Sequence, residues 1–433
     1  MSIKIKSFNG ITYNKEKVNI KDVVTPPYDV ITPEEQEYFY RKSEYNIIRL
    51  ILGKKFSEDD EKNNRYTRAK NYFNNWLKQG ILIRDLTENI YFLSEDFEIE
   101  GKNYKREGFI VILKLEEFDK GNILPHEKTL KGPKIDRFNL IKECKANFSQ
   151  IFCIFSDPSL ETIKNLRECA CSTSPYFSFT LNNINYNFWK IHDKKLENKI
   201  QEILKDKKIF IADGHHRYET ALLFRNYIKE KLNISEDVET PYDYVMVYLC
   251  PMEDEGLVIL PTHRVVKNLK IDKKIFLKNL ENYFKLKSFA KKDFLKAKEE
   301  LNSSKKGSFL LYLDNNFYLL NPLQNNISKL DVEILEEIIF KKILKITDED
   351  ISMKKKIDFI KNEKDGIEGV ENGSFSAFFM VKPPKMEEIK KISLNRGILP
   401  QKTTYFYPKL LTGLVIYSLE WINLSWTIKV YST

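Results

Sequence analysis

Cysteine is scarce in this chain, and its placement excludes more than its number. Five residues, Cys144, Cys153, Cys169, Cys171 and Cys250, are spread through 433 positions, and no Cys-x-x-Cys pair occurs. An odd, scattered set does not make a disulfide framework and reads as reduced thiols, which suits a reducing cytosol. No HExxH segment and no Cys/His cluster is present, and neighbouring histidines on a helix point about 100° apart, so no protein-held metal is expected. Long apolar runs are equally few. The segment 1–10 has no apolar stretch of the kind that opens a leader. The run from Leu410 to Tyr431 is interrupted by Glu420, Asn423 and Lys429, so no membrane span is expected. The chain also lacks internal repeats and low-complexity tracts.

What is present fits a folded protein. Hydrophobic residues make up 42% and aromatics 13%, and mean hydropathy is −0.44, enough to build two or three packed units. The net charge of +9 is the difference between 71 basic and 62 acidic residues, so the surface is mixed rather than a basic stripe. Lysine, asparagine and isoleucine abound, as AT-rich codons dictate, and the charge alone does not argue for a nucleic acid. It favours small anionic partners in a cytoplasmic setting.

Patterning predicts strands and helices in mixed order. Thr32-Pro33-Glu34-Glu35 opens a helix through about Lys42, with a hydroxyl cap, proline at the first position and glutamate at the third. A second helix runs from about Asn63 to Gly80. A hairpin covers 89–97 and 105–115 and turns near Glu100-Gly101. Lys208 to Ala212 is a short, nearly all-apolar strand, expected to be buried on both faces. After about residue 268 lysine and glutamate increase, and short helices alternate with strands.

The main chemical signal follows that apolar strand. In Asp213-Gly214-His215-His216-Arg217 a strand ends, a glycine permits close backbone approach and a helix begins. A helix start attracts phosphate through its amides and dipole. Arg217 can fork onto phosphate oxygens, the histidines can donate or carry protons, and Asp213 can cap the helix. A second candidate is the loop Leu124-Pro125-His126-Glu127-Lys128-Thr129-Leu130-Lys131-Gly132-Pro133-Lys134. There His126 or Glu127 is a candidate base, and Lys128, Lys131 and Lys134 are candidates to neutralise phosphate. Asp29 follows two prolines that stiffen it, and is a further candidate base. His263 and Arg264, after the strand 257–261, and Lys402, in the aromatic and basic segment 401–409, are candidates for the same cleft. That last segment could also stack bases or pack a domain interface.

Taken together, Thr25-Pro26-Pro27-Tyr28-Asp29-Val30, Asn46-Ile47-Ile48-Arg49-Leu50, Ile123 to Thr129, Ile211 to Ala221, Leu260-Pro261-Thr262-His263-Arg264 and Pro400 to Lys409 resemble the family called domain of unknown function 1015, over about residues 1–416. The strand followed by Asp-Gly-His-His-Arg is also similar to the phosphate box of the ParB/sulfiredoxin superfamily, which includes free-serine kinases. The resemblance implies an α/β (mixed α+β) fold. A ParB/sulfiredoxin-like phosphate-binding core would occupy 1–268, a smaller α+β subdomain 269–325, a helical and closing-strand segment 326–416, and a tail 417–433 that departs from the family's usual ending. It further implies that Gly214, His215, His216 and Arg217 bind nucleotide phosphates. The reaction would be phosphoryl transfer between ADP or ATP, with Mg²⁺, and a small hydroxyl substrate such as serine or phosphoserine. The box contains no cysteine, which argues against sulfinic-acid reduction, and strands rather than a helix-turn-helix follow it. A nucleic-acid-binding regulator and a nucleotide-independent phosphatase are the alternative readings.

Overall fold

The computed structural model describes residues 2–420, apart from 128, 130, 325–328, 396, 398 and 401, with backbone only at 131 and 352. The described chain divides into two compact units, residues 1–257 with 408 onward, and residues 258–407.

Nine strands form the sheet of the first unit: β1 (Ile5–Lys6), β2 (Ile90–Ile99), β3 (Lys102–Lys114), β4 (Ile123–Leu124), β5 (Ile151–Phe155), β6 (Phe177–Leu181), β7 (Ile184–Ile191), β8 (Ile209–Asp213) and β9 (Tyr244–Pro251). Their order is β4-β8-β5-β9-β3-β2-β7-β6, with β1 paired to β3. The sheet is mixed. β4 is parallel to β8 and β5 to β9, while the other neighbours are antiparallel. The class expected from the sequence, mixed α/β, is the one observed.

The long hairpin β2–β3 turns through Glu100 and Gly101, both at positive φ, where the sequence placed it. Alternation then decides which residues meet. One face carries Phe109, Val111, Ile151, Cys153, Val247, Leu249, Ile209 and Ile211, all buried. Three helices cover it: Glu161–Cys171, Lys194–Leu204 and His215–Lys231 supply Ile163, Leu166, Leu196, Ile200, Tyr218 and Leu222. The opposite face holds a buried ion pair, Arg106 Nε to Glu95 Oε2 at 2.7 Å, with the guanidinium 5.1 Å from the Phe152 ring centre. Both members are fully enclosed, so either one alone would be a costly buried charge.

Helix α1 (Arg65–Lys78) buries Ala69, Phe73 and Trp76, as its periodicity predicts. The helix Pro33–Lys42 has the expected capping box between Thr32 and Glu35. Helix α2 spans Lys131–Cys144, so Lys134 lies in a helix rather than in the loop assigned from sequence. Gly132 and Pro133 suggested a loop, but both fall in the first helical turn, where a missing N–H costs nothing.

The second unit is built on six strands: β10 (His263–Val266), β11 (Phe284–Ala290), β12 (Phe309–Leu313), β13 (Asn316–Pro322), β14 (Ile357–Ile360) and β15 (Ala377–Met380), in the order β11-β13-β12-β15-β10-β14. Its start lies at 258 rather than 269, because β10 pairs with β14 and β15, about 100 residues later, and not with the nine-stranded sheet. The pairing of β12 with β15 joins the segments 269–325 and 326–407 in one unit, while 408–416 returns to the first. Of the tail 417–433, residues 421–433 lie outside the described set.

Gly108 in β3 faces Tyr248 across the pair with β9. A Cβ there would lie 2.4 Å from the tyrosine ring and 2.6 Å from the Leu249 carbonyl oxygen. Gly108→Ala is expected to cost about 1–3 kcal/mol of stability, read as a lower urea midpoint with unchanged slope.

Candidate functional site

The candidate site grows from the end of β8. Gly214 follows it at φ +100°, a conformation open to glycine and costly for other residues, and helix α3 (His215–Lys231) begins there with no side-chain cap. A Cβ on Gly214 would also lie 2.9 Å from Arg217 Nη2, so the glycine lets the arginine fold back over its own helix start. Arg217 Nη2 donates to Asp213 Oδ2 at 2.9 Å, and its Nη1 donates to the Gln150 carbonyl. Lys409 Nζ donates to the other carboxylate oxygen, Asp213 Oδ1, at 2.6 Å. Two cations from distant parts of the sequence therefore converge on one carboxylate where the strand turns into the helix.

Lys409 belongs to the segment 401–409 that the sequence offered as a base-stacking or interface surface, and its site role was not legible there. Gln150 was missed as well. Its main chain holds Arg217, and its side-chain nitrogen donates to the Leu411 carbonyl at 2.9 Å, fixing the strip that carries Lys409. A small cavity of about 10 Å³ lies among Pro27, Gln150, Asp213, Arg217, Lys409 and Thr412. That is about the space of one water. The open anion cradle expected at the turn is thus closed over in this conformation, with Asp213 occupying the cations.

The loop 124–134 does come to the same turn, but by a different means than supplying free charges. His126 N–H donates to His215 Nε2 at 3.1 Å, and the two rings stand edge to face with centroids 4.7 Å apart. Because His215 Nε2 accepts, its proton belongs on Nδ1. Glu127 Oε2 lies 4.0 Å from that nitrogen. Thr129 Oγ1 and Lys134 Nζ both donate to Glu219 Oε2 at 2.8 Å, one helical turn beyond. The loop is therefore latched to the helix start through His215 and Glu219, with Lys134 engaged in the latch. Lys128 lies outside the described residues.

Both imidazoles are neutral at physiological pH. Burial lowers His126 from its ordinary 6.5 to about 4, against the pull of Asp213 and a hydrogen bond with Ile211. Burial and then the neighbouring His126 push His215 well down also. His126, the candidate base, is 0% exposed and packs edge to face on His215. His216, one step along the helix, is half-buried.

Asp29 sits in the short turn Tyr28–Val30 and is exposed. Its neighbour Tyr28 lies under Arg137, with the guanidinium carbon 3.9 Å from the ring centre. Burial raises the Tyr28 phenol, with Arg137, Asp29 and Arg217 among the charges acting on it. Arg137 and Arg217 both line a further cavity of about 50 Å³.

His263, Arg264 and Lys402 lie in the second unit. The Val381 amide donates to His263 Nδ1 at 3.3 Å. Arg264 is fully buried, its guanidinium donating to the carbonyls of Thr262 and Lys402, and burial lowers its pKa to about 10. Those bonds hold the strand end and the 402 turn, where Lys402 has φ +57°. Among the described residues no group of three His, Cys, Asp or Glu side chains is placed to hold a metal ion, and no helix is long and apolar enough to cross a membrane.

The site thus defines an α/β protein with a cation-lined turn at a strand end. The chain belongs to the family described as protein of unknown function DUF1015, whose model matches residues 5–337. Solved structures to which the chain is similar include a free serine kinase in complex with AMP, at 14% identity over 68% of this chain and 86% of that one, with a TM-score of 0.34. They also include a conserved hypothetical protein from Pyrococcus furiosus, at 15% identity over 70% and 95%, with a TM-score of 0.35. A third is a C-terminally truncated SbnI from Staphylococcus aureus, at 10% identity over 74% and 93%, with a TM-score of 0.35. No curated protein matches the chain in sequence.

The depressed His126 value sets a pH dependence. The unfolded chain takes up a proton near 6.5 that the folded chain refuses until about 4, so stability falls as pH drops through that window. Between pH 7 and pH 5 this one group is expected to contribute a loss of about 2 kcal/mol. Urea unfolding of wild type and His126→Gln at both pH values checks it: the variant should show the shallower pH slope.

Proposed function

We propose that the chain is a nucleotide-dependent phosphotransferase acting on a small hydroxyl substrate, with serine and phosphoserine as the pair to try first, on a core of the ParB/sulfiredoxin type. The observation that carries this is the convergence of Arg217 and Lys409 on Asp213 at the uncapped start of a helix. Phosphoryl transfer rests mainly on positioning and charge neutralisation, and those are the resources gathered here.

In this reading a phosphate enters by replacing Asp213 as the partner of Arg217 and Lys409. The glycine turn lets its oxygens approach the backbone. The His126–His215 contact and the Thr129 and Lys134 bonds to Glu219 keep loop and helix in register while the cations change partners. Asp29, exposed and two residues after Pro27, which lines the small cavity with Arg217, is the carboxylate assigned to take the hydroxyl proton. Asp213, once released, would help hold a Mg²⁺ ion, which would neutralise phosphate charge. Mg²⁺ binds mainly through phosphate and water with one or two carboxylates, so the lack of a three-ligand cluster among the described residues does not conflict with it. A phosphatase that forms phosphohistidine is less well supported, because His215 Nε2 already accepts a main-chain hydrogen bond and His126 is enclosed.

Calorimetric titration of the full chain with AMP, ADP and ATP, with and without Mg²⁺, tests the proposal alongside Arg217→Ala and Lys409→Ala. Each charge-assisted contact contributes about 1.5–3 kcal/mol, so each variant should bind about ten- to a hundredfold more weakly. Nucleotide binding unchanged in both variants would remove this turn as the phosphate site. Following phosphorylated species with serine or phosphoserine then decides the substrate.

A further inference from the structure

Resting on the nucleotide reading above, we infer that the cavity on the far side of Arg217 receives one edge of the nucleobase. Arg217 lines both the small space beside Asp213 and Lys409 and a larger one of about 50 Å³. The larger space is walled by Ile51, Leu140, Phe148 and Val245, which come from four separate segments of the first unit. It is open to solvent on one side, and it has room for about three or four water-sized groups, which is the edge of a ring system rather than the whole of one.

The walls favour a flat heterocycle over an amino-acid substrate. A serine-sized molecule would find Arg137 and Arg217 for its carboxylate but no lining carboxylate for its ammonium, and the lining Asn147 and Ser149 are already bonded to the Met246 amide and the Thr412 hydroxyl. A nucleobase has apolar faces and only a few polar atoms on its edge, as ligand pockets of this kind require. One polar group stands ready for that edge. Thr220 Oγ1 lines the cavity, the residue is 2% exposed, and its hydroxyl has no hydrogen-bond partner within the described protein. Thr220 is three residues along the helix from Arg217, so the two lie on adjacent turns of one face. A base against Thr220 and a phosphate against Arg217 would then be held from one helix face. Arg137, held by the Tyr28 ring and by Asp136, also lines the cavity and can stack on an aromatic base.

The test separates base from phosphate. Pyrophosphate and ADP carry the same phosphate chain with and without the nucleoside, and both are titrated into the full-length wild type, Thr220→Val and the cavity-filling Leu140→Phe. ADP is expected to bind wild type at least about tenfold more tightly than pyrophosphate. Leu140→Phe should erase most of that preference and Thr220→Val should reduce it about threefold or more, while pyrophosphate affinity stays within about twofold. Equal affinity of wild type for ADP and pyrophosphate overturns the inference without needing either variant, and leaves the phosphate site standing. A preference for ADP that both variants retain, or an equal weakening of both ligands, also overturns it. Failure of wild type to bind either compound removes the phosphate reading together with this one.

Discussion

One carboxylate organises the site end of the first unit. Asp213 closes the strand β8, holds Arg217 four residues later and holds Lys409 from 196 residues away. This half-buried acid accepts a charge-assisted bond on each of its two oxygens. It also fixes where the returning chain crosses the sheet. Gln150 completes the arrangement by receiving Arg217 on its carbonyl and binding the Leu411 carbonyl with its side chain. Strand, helix start and closing segment are thereby tied at one point, and a ligand that competes for those cations must loosen all three.

The histidines serve this arrangement through their shape and neutrality. Two imidazoles edge to face in a dry interior resist protonation, and the main-chain bond from His126 fixes which nitrogen of His215 carries its hydrogen. A charged histidine at that spot would repel Arg217 and the incoming cationic loop. With both neutral, the positive charge of the turn is concentrated on Arg217 and Lys409, outside the packed layer and beside the cavities. The buried pair of Arg106 and Glu95 on the same sheet is a different device: neither member reaches solvent, and each exists in its charged form because the other is there.

Much of the local structure was legible from residues near in sequence. The capped helix at Pro33–Lys42, the hairpin through Glu100-Gly101, the apolar strand before Asp213 and the helix after it all follow from patterns a few residues long. The approach of the 124–134 loop to the 213–217 turn was expected as a shared function, and the two do meet. The start of helix α2 at Lys131 was misread because Gly132 and Pro133 carry the same signal in a loop and in a first helical turn. The boundary near 268 was misread because a strand shows its own alternation but not the identity of its partner, and the partners of β10 lie about 100 residues later.

The sequence by itself determined the elements that depend on short-range sterics and hydrogen bonding: where strands end, where helices are capped, and that a glycine at position 214 permits close backbone approach between strand and helix. Tertiary structure alone decided that Lys409 and Gln150 belong to the site, that Lys134 is spent on Glu219, and that His126 faces inward. Those outcomes turn on contacts spanning 85 to about 260 residues. No local pattern encodes such contacts, because each is fixed by how the sheet orders its strands and where the closing segment returns across them.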